Sequence, residues 1–326
     1  MTVSRGSDMA VCRAYHAIPP VVQPTRRRAT DAYHARSYTG AVSGEVHPVV
    51  PEVVAQGLDV EVLDYRCRAG IHPPGPEEHN DRHSIVFVRR GVFARTVRGE
   101  GLLADANHVL FFNAREPYRI EHPVAGGDDC TIFALSEPVA RELVARHAPR
   151  HADRAGGPFR IGQALSDPLA LRLQYELLGR ARGASRLDFE DALVALLDRV
   201  VGTACARPQK AADASTLRRH RDLVEATRTE VHRDLSRTPS LSDLARRFGC
   251  SPFHLSRVFP QVAGLSLRAY VARLRARAAA EHLARGTRDL TQLALDLGYA
   301  DHSHFTNAFR REWGVPPSVF RAAHSH

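Results

Sequence analysis

Lysine is nearly missing from this chain: Lys210 is the only one among 326 residues, and arginine carries the positive charge. Arginine richness alone therefore argues for little, because codon bias produces it. No run of about eighteen or more apolar residues occurs, which excludes a membrane-spanning helix. The first residues are polar and lack an apolar h-region, so no secretory signal is expected. Cysteine is scarce, with five scattered residues. An odd, dispersed set fits a reducing compartment better than a disulfide framework, and a cytoplasmic protein is the expectation.

What is present is unevenly placed. A chain of 326 residues with 44% apolar content suggests two domains with sizeable cores. From Leu217 to the C-terminus there are 18 arginines and 10 acidic residues, a net of +8, whereas the first 216 residues carry a net of +1. Codon bias does not explain that asymmetry. A basic domain joined to a neutral one points to a polyanionic partner.

Residues 1–58 are rich in Pro, Ser, Thr, Ala and His, contain "PTRRRAT", and show no sustained period. They read as a disordered N-terminal arm, or as the product of an over-long gene model. From Asp59 the pattern changes. "VEVLDYRC", "HSIVFVRRGVFARTVRG", "HVLFFNAREPYRIEHP" and "CTIFALS" are β-branched and aromatic runs broken by turn residues, which suggests a sandwich or barrel. "EPVARELVARHA" is helical, and the β-rich unit is assigned to 59–160. "DPLALRLQYELLGRARG" and "DFEDALVALLDRVVGTACA" form a helix pair within 161–205, each opened by Asp. "RPQKAADAS" reads as a linker within 206–216, and 217–326 as helices and tight turns.

The last segment repeats itself. Leu241, Leu244, Ala245, Phe248 and Gly249 align with Leu290, Leu293, Ala294, Leu297 and Gly298. Ser251, Leu255, Phe259, Gly264 and Tyr270 align with Asp301, Phe305, Phe309, Gly314 and Phe320, after a one-residue insertion in the second turn. Each unit is a short helix, a glycine turn and a capped helix. Leu255, Val258 and Phe259 face inward in the first unit; Phe305, Ala308 and Phe309 do so in the second. The outward faces are then Phe253, Ser256, Arg257 and Pro260, and Ser303, Thr306, Asn307 and Arg310. Those side chains suit a major groove. Arg holds guanine and Asn holds adenine through paired hydrogen bonds, and Phe253 fits a thymine methyl. Arg310 and Arg311 suit phosphates.

At this point "LARRFGCSPFHLSRVF" and "GYADHSHFTNAFRREWGVPPSVFR" carry a resemblance. The segment 217–326 resembles the C-terminal domain of the AraC/XylS family of bacterial transcription regulators. The resemblance implies seven helices, with two helix-turn-helix units joined by a long helix, here "SLRAYVARLRARAAAEHLARG". Its roughly 18 residues would span about 27 Å, enough to set two reading helices about one DNA turn apart. The family pattern puts base contacts on Phe253, Ser256 and Arg257, then on Ser303, His304 and Asn307. Periodicity agrees except at His304, which it places at the edge of the face. Many members carry a basic residue where this chain has Pro260, which is expected to end its helix early.

By order of elements, the β-rich segment and helix pair resemble the family's cupin-like sensing and dimerisation half. The expected fold class is thus α+β multidomain: an N-terminal cupin-like β-barrel with a helix pair, then an all-α domain with two helix-turn-helix units. Cys67, His79, His122 and Cys130 would suit tetrahedral zinc, which makes a metal- or redox-responsive regulator the alternative. The plainer account is cysteines packing as small hydrophobes beside surface histidines. No resident cofactor is expected. "HNDRH" misses the His-x-His spacing of a metal-binding cupin, and a repair methyltransferase would need a "PCHR" motif, so no enzyme is expected. A plain helical interaction module is the remaining reading, and salt-dependent DNA binding is the measurement that would decide against it. Expected partners are double-stranded DNA, a small-molecule effector in the barrel mouth, RNA polymerase if the protein activates, and a second copy of the chain. The dimer would form through Leu169, Leu173 and Leu177 with Leu193, Leu196, Leu197 and Val200. The expected location is the cytoplasm, on the nucleoid.

Overall fold

The computed structural model describes residues 51–181, 183–206 and 214–324. Strands β1 (Glu52–Gly57), β2 (Val60–Arg66), β3 (His83–Val97), β4 (Glu100–Asp105), β5 (His108–Phe112), β6 (Arg119–Glu121), β7 (Asp128–Leu135) and β8 (Gln163–Leu165) pair antiparallel in the order β1-β2-β7-β3-β5-β8. β4 and β6 pair with the second half of β3, which bends at Gly91 (φ 83°). A side chain there would run into the Gly127 carbonyl, so the bend requires glycine.

Strands covered on both faces carry continuous apolar runs rather than alternating ones. "HSIVFV" is such a run: Ile85 and Phe87 enter one core, Val86 and Val88 the other. The first core lies under helices α1 (Glu137–His147), α3 (Pro168–Arg180) and α4 (Arg186–Cys205), with the short α2 (Pro149–Ala152) beside them. The second is closed by Phe93 and Ala104, with Tyr118 and Ile120 packed against it. α3 opens on Asp167, which accepts from the Leu169 and Ala170 amides at 2.9 and 3.0 Å. α4 opens on Ser185 instead of Asp188. Its hydroxyl accepts from the Asp188 amide at 3.2 Å and donates to the Asp188 carboxylate at 2.7 Å, a capping pair spaced three residues apart.

Two expectations change. A strand lies before Asp59: β1 occupies part of the expected arm because Gly57 and Val60 close a hairpin through Leu58 and Asp59, both at positive φ. Half-exposed "EVVAQG" has no strong period of its own, and only its pairing with β2 makes it a strand. Residues 1–50, the rest of the arm, lie outside the described residues, as does 207–213, most of the expected linker. The stripe Leu193, Leu196, Leu197 and Val200, expected at a dimer interface, is buried in the chain's own core, as is Leu177. Any dimer through α4 has to use its other face, where Leu187 and Val194 are exposed.

Among the described residues seven helices follow: α5 (Ala214–Arg233), α6 (Leu241–Arg247), α7 (Pro252–Ala263), α8 (Leu267–Ala284), α9 (Leu290–Asp296), α10 (His302–Trp313) and α11 (Pro317–His324). The chain is thus an antiparallel sheet half followed by a helical half. No helix among the described residues is long and apolar enough to cross a membrane.

The two halves share a polar seam. The turn joining β4 to β5 is inserted into the helical half, with Asp105, Ala106, Asn107 and His108 all buried. Asp105 accepts from Arg228 of α5 at 2.8 Å and from the Tyr270 hydroxyl of α8, and it pairs with His108 at 2.8 Å and His232 at 3.3 Å. Burial alone would raise its pKa. The Arg228 charge, with His108, outweighs burial and holds the carboxyl well below its ordinary value. Beside it, Arg277 of α8 donates to the Ala106 carbonyl at 2.6 Å and to the Ser166 carbonyl at 3.0 Å. Burial pulls its guanidinium down to about 10, against the opposing pull of Glu312.

Candidate nucleic-acid interface

The two repeated units close their turns with the same bonds. After α6, the Gly249 amide donates to Arg246 and the Cys250 amide to Ala245, at 3.3 and 2.9 Å. After α9, Gly298 donates to Leu295 and Tyr299 to Ala294, both at 2.9 Å. Both glycines are left-handed, with φ of 67° and 75°, which is the Schellman stop of a helix. Ser251 then caps α7 by accepting from the His254 amide at 3.1 Å, and Asp301 caps α10 by accepting from His304 at 2.7 Å. Ala300 is the extra residue in the second turn. Both long helices end on left-handed glycines, Gly264 and Gly314.

The two turns differ in tolerance. A Cβ at Gly249 would meet nothing, whereas one at Gly298 would run into the Ser236 carbonyl. Gly249→Ala should therefore cost about 1–2 kcal/mol of left-handed strain. Gly298→Ala should add roughly 1–3 kcal/mol of overpacking to that. Urea midpoints of the two variants check this, and equal losses would contradict it.

The inward residues lie as the pattern requires. Leu255, Val258 and Phe259 are buried, as are Phe305 and Phe309, and Ala308 is half-buried. Opposite them, Phe253, Ser256 and Arg257 on α7 are exposed, as are Ser303, His304, Asn307, Arg310 and Arg311 on α10. Phe253 is 89% exposed, an aromatic ring left in water on a capped, well-packed helix. His304 sits at the rim, its ring 5.4 Å from that of Tyr299. Thr306 is half-buried, so it belongs to the edge rather than to the face. Pro260 does not end α7. The helix runs on to Ala263, because Phe259 and Ala263 are anchored in the core and the Gly264 amide closes the last turn on the Pro260 carbonyl at 3.0 Å.

Charge on these faces is uncompensated. Among the described residues, Arg257, Arg310 and Arg311 make no ion pair. Glu312, the only acid within α10, is turned inward to Arg273 and Arg277 of α8, at 3.3 and 2.9 Å. Many other arginines of this half are engaged in structure: Arg228 at Asp105, Arg247 at Glu230, Arg275 on the Ser236 and Gly298 carbonyls. The net of +8 therefore overstates what a partner meets, and the meaningful charge is the part on the two exposed faces.

The four residues singled out for metal do not converge. His79 is exposed, and Cys67, His122 and Cys130 are buried. Cys67 and His122 meet Asp128 instead, a residue given no role in the sequence reading; the turn after His122 brings it to that ring, and the Cys67 amide ties it to the end of β2. The buried seam at Asp105 was equally unmarked: "DANH" reads as ordinary turn chemistry. A cavity against β8 and α4, lined by Val109, Ala164, Ser166 and Val200 among others, has a volume of about 10 Å³, room for no more than a water.

A family model described as a helix-turn-helix domain matches residues 244–323. The HTH-type transcriptional activator RhaS of Escherichia fergusonii is 27% identical over 262 residues, which is 76% of this chain and 87% of the relative. The HTH-type transcriptional activator AarP of Providencia stuartii is 30% identical over 91 residues, covering 28% of this chain and 67% of the relative. The regulatory protein SoxS of Salmonella typhimurium is 28% identical over 102 residues, or 31% of this chain and 95% of the relative.

Proposed function

The chain belongs to the AraC/XylS family of bacterial transcription regulators, and from that premise we propose that it reads double-stranded DNA through two helix-turn-helix units, α6–α7 and α9–α10. One observation carries the reading. The corresponding faces of α7 and α10 are both exposed, and Arg257, Arg310 and Arg311 on them make no ion pair among the described residues, while the opposite faces of both helices are buried. α8, 18 residues long, joins the units. At the helical rise it spans about 27 Å, which suits successive major-groove segments about one turn apart.

Arg257 is the guanine reader of the first unit, with Phe253 against a thymine methyl and Ser256 beside it. Ser303, His304 and Asn307 read the second half of the site, and Arg310 and Arg311 hold phosphates. Residues 214–324 form the DNA-binding part, and the sheet half with α1–α4 is its cupin-like regulatory partner, joined through the seam at Asp105 and Arg277.

The experiment is a binding selection on randomised DNA for three variants beside the parent. Arg257→Ala should lose about 1–3 kcal/mol and relax one base pair in one half-site. Asn307→Ala should relax a position roughly 10 bp away. Arg310→Ala should weaken all sequences alike and flatten the salt slope by about one unit. Base preferences unchanged by Arg257→Ala but altered by Arg310→Ala would mean the faces are assigned wrongly.

A further inference from the structure

Three strand ends converge at one edge of the sheet half. Cys67 follows β2, Asp128 opens β7, and His122 follows β6. Their backbones are tied together. The Cys67 amide donates to Asp128 at 2.7 Å, His72 and His122 exchange amide bonds at 3.2 and 3.3 Å, and the Gly126 amide donates to Ala69 at 3.0 Å. Gly127 (φ 63°) lies so close to the Cys67 carbonyl that no side chain fits there. The side chains are therefore held by rigid backbone on every side. A sulfur, a ring nitrogen and a carboxylate oxygen of Cys67, His122 and Asp128 all lie within 4.8 Å of one another, and all three residues are buried.

The hydrogen bonds orient the ring. His72 Nδ1 bonds the Pro73 carbonyl at 2.8 Å, so that nitrogen carries the proton and His72 Nε2 accepts. His122 Nδ1 donates to it at 2.7 Å, and His122 Nε2 faces Asp128 at 2.8 Å. This is how a histidine ligand is fixed by an outer partner. A nucleophilic cysteine relay would need the ring to bridge thiol and carboxylate through its two different nitrogens. Here Nδ1 is held by His72. The neighbouring carboxylate shows the contrast: Arg68, Arg90 and Arg285 all bind Asp129, whereas the ion pair of Asp128 is with His122.

We propose that Cys67, His122 and Asp128 form a binding site for a divalent transition-metal ion, with zinc matching the donor set. Thiolate, imidazole and carboxylate are zinc's usual ligands, and three protein donors leave a fourth tetrahedral position. Cys130 Sγ lies 3.1 Å from the second Asp128 oxygen, a second thiol next to the three donors. Binding releases two protons to solvent, one from the Cys67 thiol and one from His122 Nε2, so that His122 coordinates as the neutral ring. The adjoining Asp129 carboxylate pairs with Arg285 just beyond α8, at 2.5 Å, so the site borders the seam to the helical half. The inference is independent of how α7 and α10 meet DNA.

The test uses the full chain carrying Cys12→Ser, Cys205→Ser and Cys250→Ser, stripped with chelator and titrated with cobalt(II). One equivalent should produce a thiolate-to-cobalt charge-transfer band with intense tetrahedral visible bands, and zinc should bleach both. His72→Ala should weaken binding by about 10–100-fold, and Cys67→Ala should remove the charge-transfer band. No band at one equivalent, or a band that survives Cys67→Ala, overturns the proposal. If circular dichroism shows that Cys67→Ala does not fold, alkylation of the parent with and without cobalt decides. Protection of Cys67 supports the site, and protection of Cys130 alone overturns it.

Discussion

Asp105→Ala is expected to cost about 3–5 kcal/mol, because it strips the counter-charge from a buried arginine. Arg228 is buried in the seam, and Asp105 is its only carboxylate partner among the described residues. The same substitution removes the acceptor of the Tyr270 hydroxyl and the partner of His108. Denaturant unfolding of the intact chain measures the loss. Arg228→Met combined with Asp105→Ala removes both charges, so the double variant should be more stable than the two single losses predict, by roughly 0.5–3 kcal/mol. Strict additivity, or a single-variant loss below about 1 kcal/mol, would refute the seam as described. The pH dependence has a definite sign. The Asp105 carboxyl is held below its ordinary 3.8, so its contribution is complete above that value. It is lost as pH falls further, through the lowered folded-state value. Asp105→Asn should flatten that acid limb.

Phe309→Ala should be of comparable size, about 3–5 kcal/mol, as a large ring removed from a full core. Phe309 is fully buried, with ring centroids of Phe305, Trp313 and Phe320 at 5.8, 5.9 and 5.5 Å. Tyr175 of α3 lies 5.5 Å from Trp313 and 5.4 Å from Phe320, which joins this cluster to the core of the sheet half. The damage should therefore spread. Amide exchange should accelerate in α3 and α4 as well as in α10 and α11. Phe259→Ala is the control, since Phe259 lies in the separate core of α5 to α8. Faster exchange confined to α10 and α11 in Phe309→Ala would show that the halves unfold independently.

These expectations rest on contacts that local patterns only partly announce. The repeat in the helical half was legible because helix stops and starts are local chemistry. A left-handed glycine, a capping Ser or Asp and an apolar stripe act within a few residues of each other, so Gly249, Ser251 and Leu255 reappear as Gly298, Asp301 and Phe305. The exposed face followed from the same period, because whatever α7 and α10 do not bury must point outward. Pro260 misled for a related reason: its local preference is to break a helix, and the burial of Phe259 and Ala263 overrode it.

α8 carries the seam without an amphipathic signal, since it is covered on two sides. Ala276, Ala279 and Ala280 meet one core, and Tyr270 and Leu274 meet the other. By itself, the sequence determined most of the strand and helix classes, the doubled unit and the outward face of α7 and α10. Each of these depends on spacing within one element or one turn. Only the tertiary structure decided that the α4 stripe is buried within the chain, that Asp105 meets Arg228, and that Cys67 and His122 meet Asp128 rather than His79. Apart from His122 and Asp128, six residues apart across one turn, those pairings join residues far apart along the chain, through strand order and helix docking. Nothing in the local spacing of such distant partners records the other.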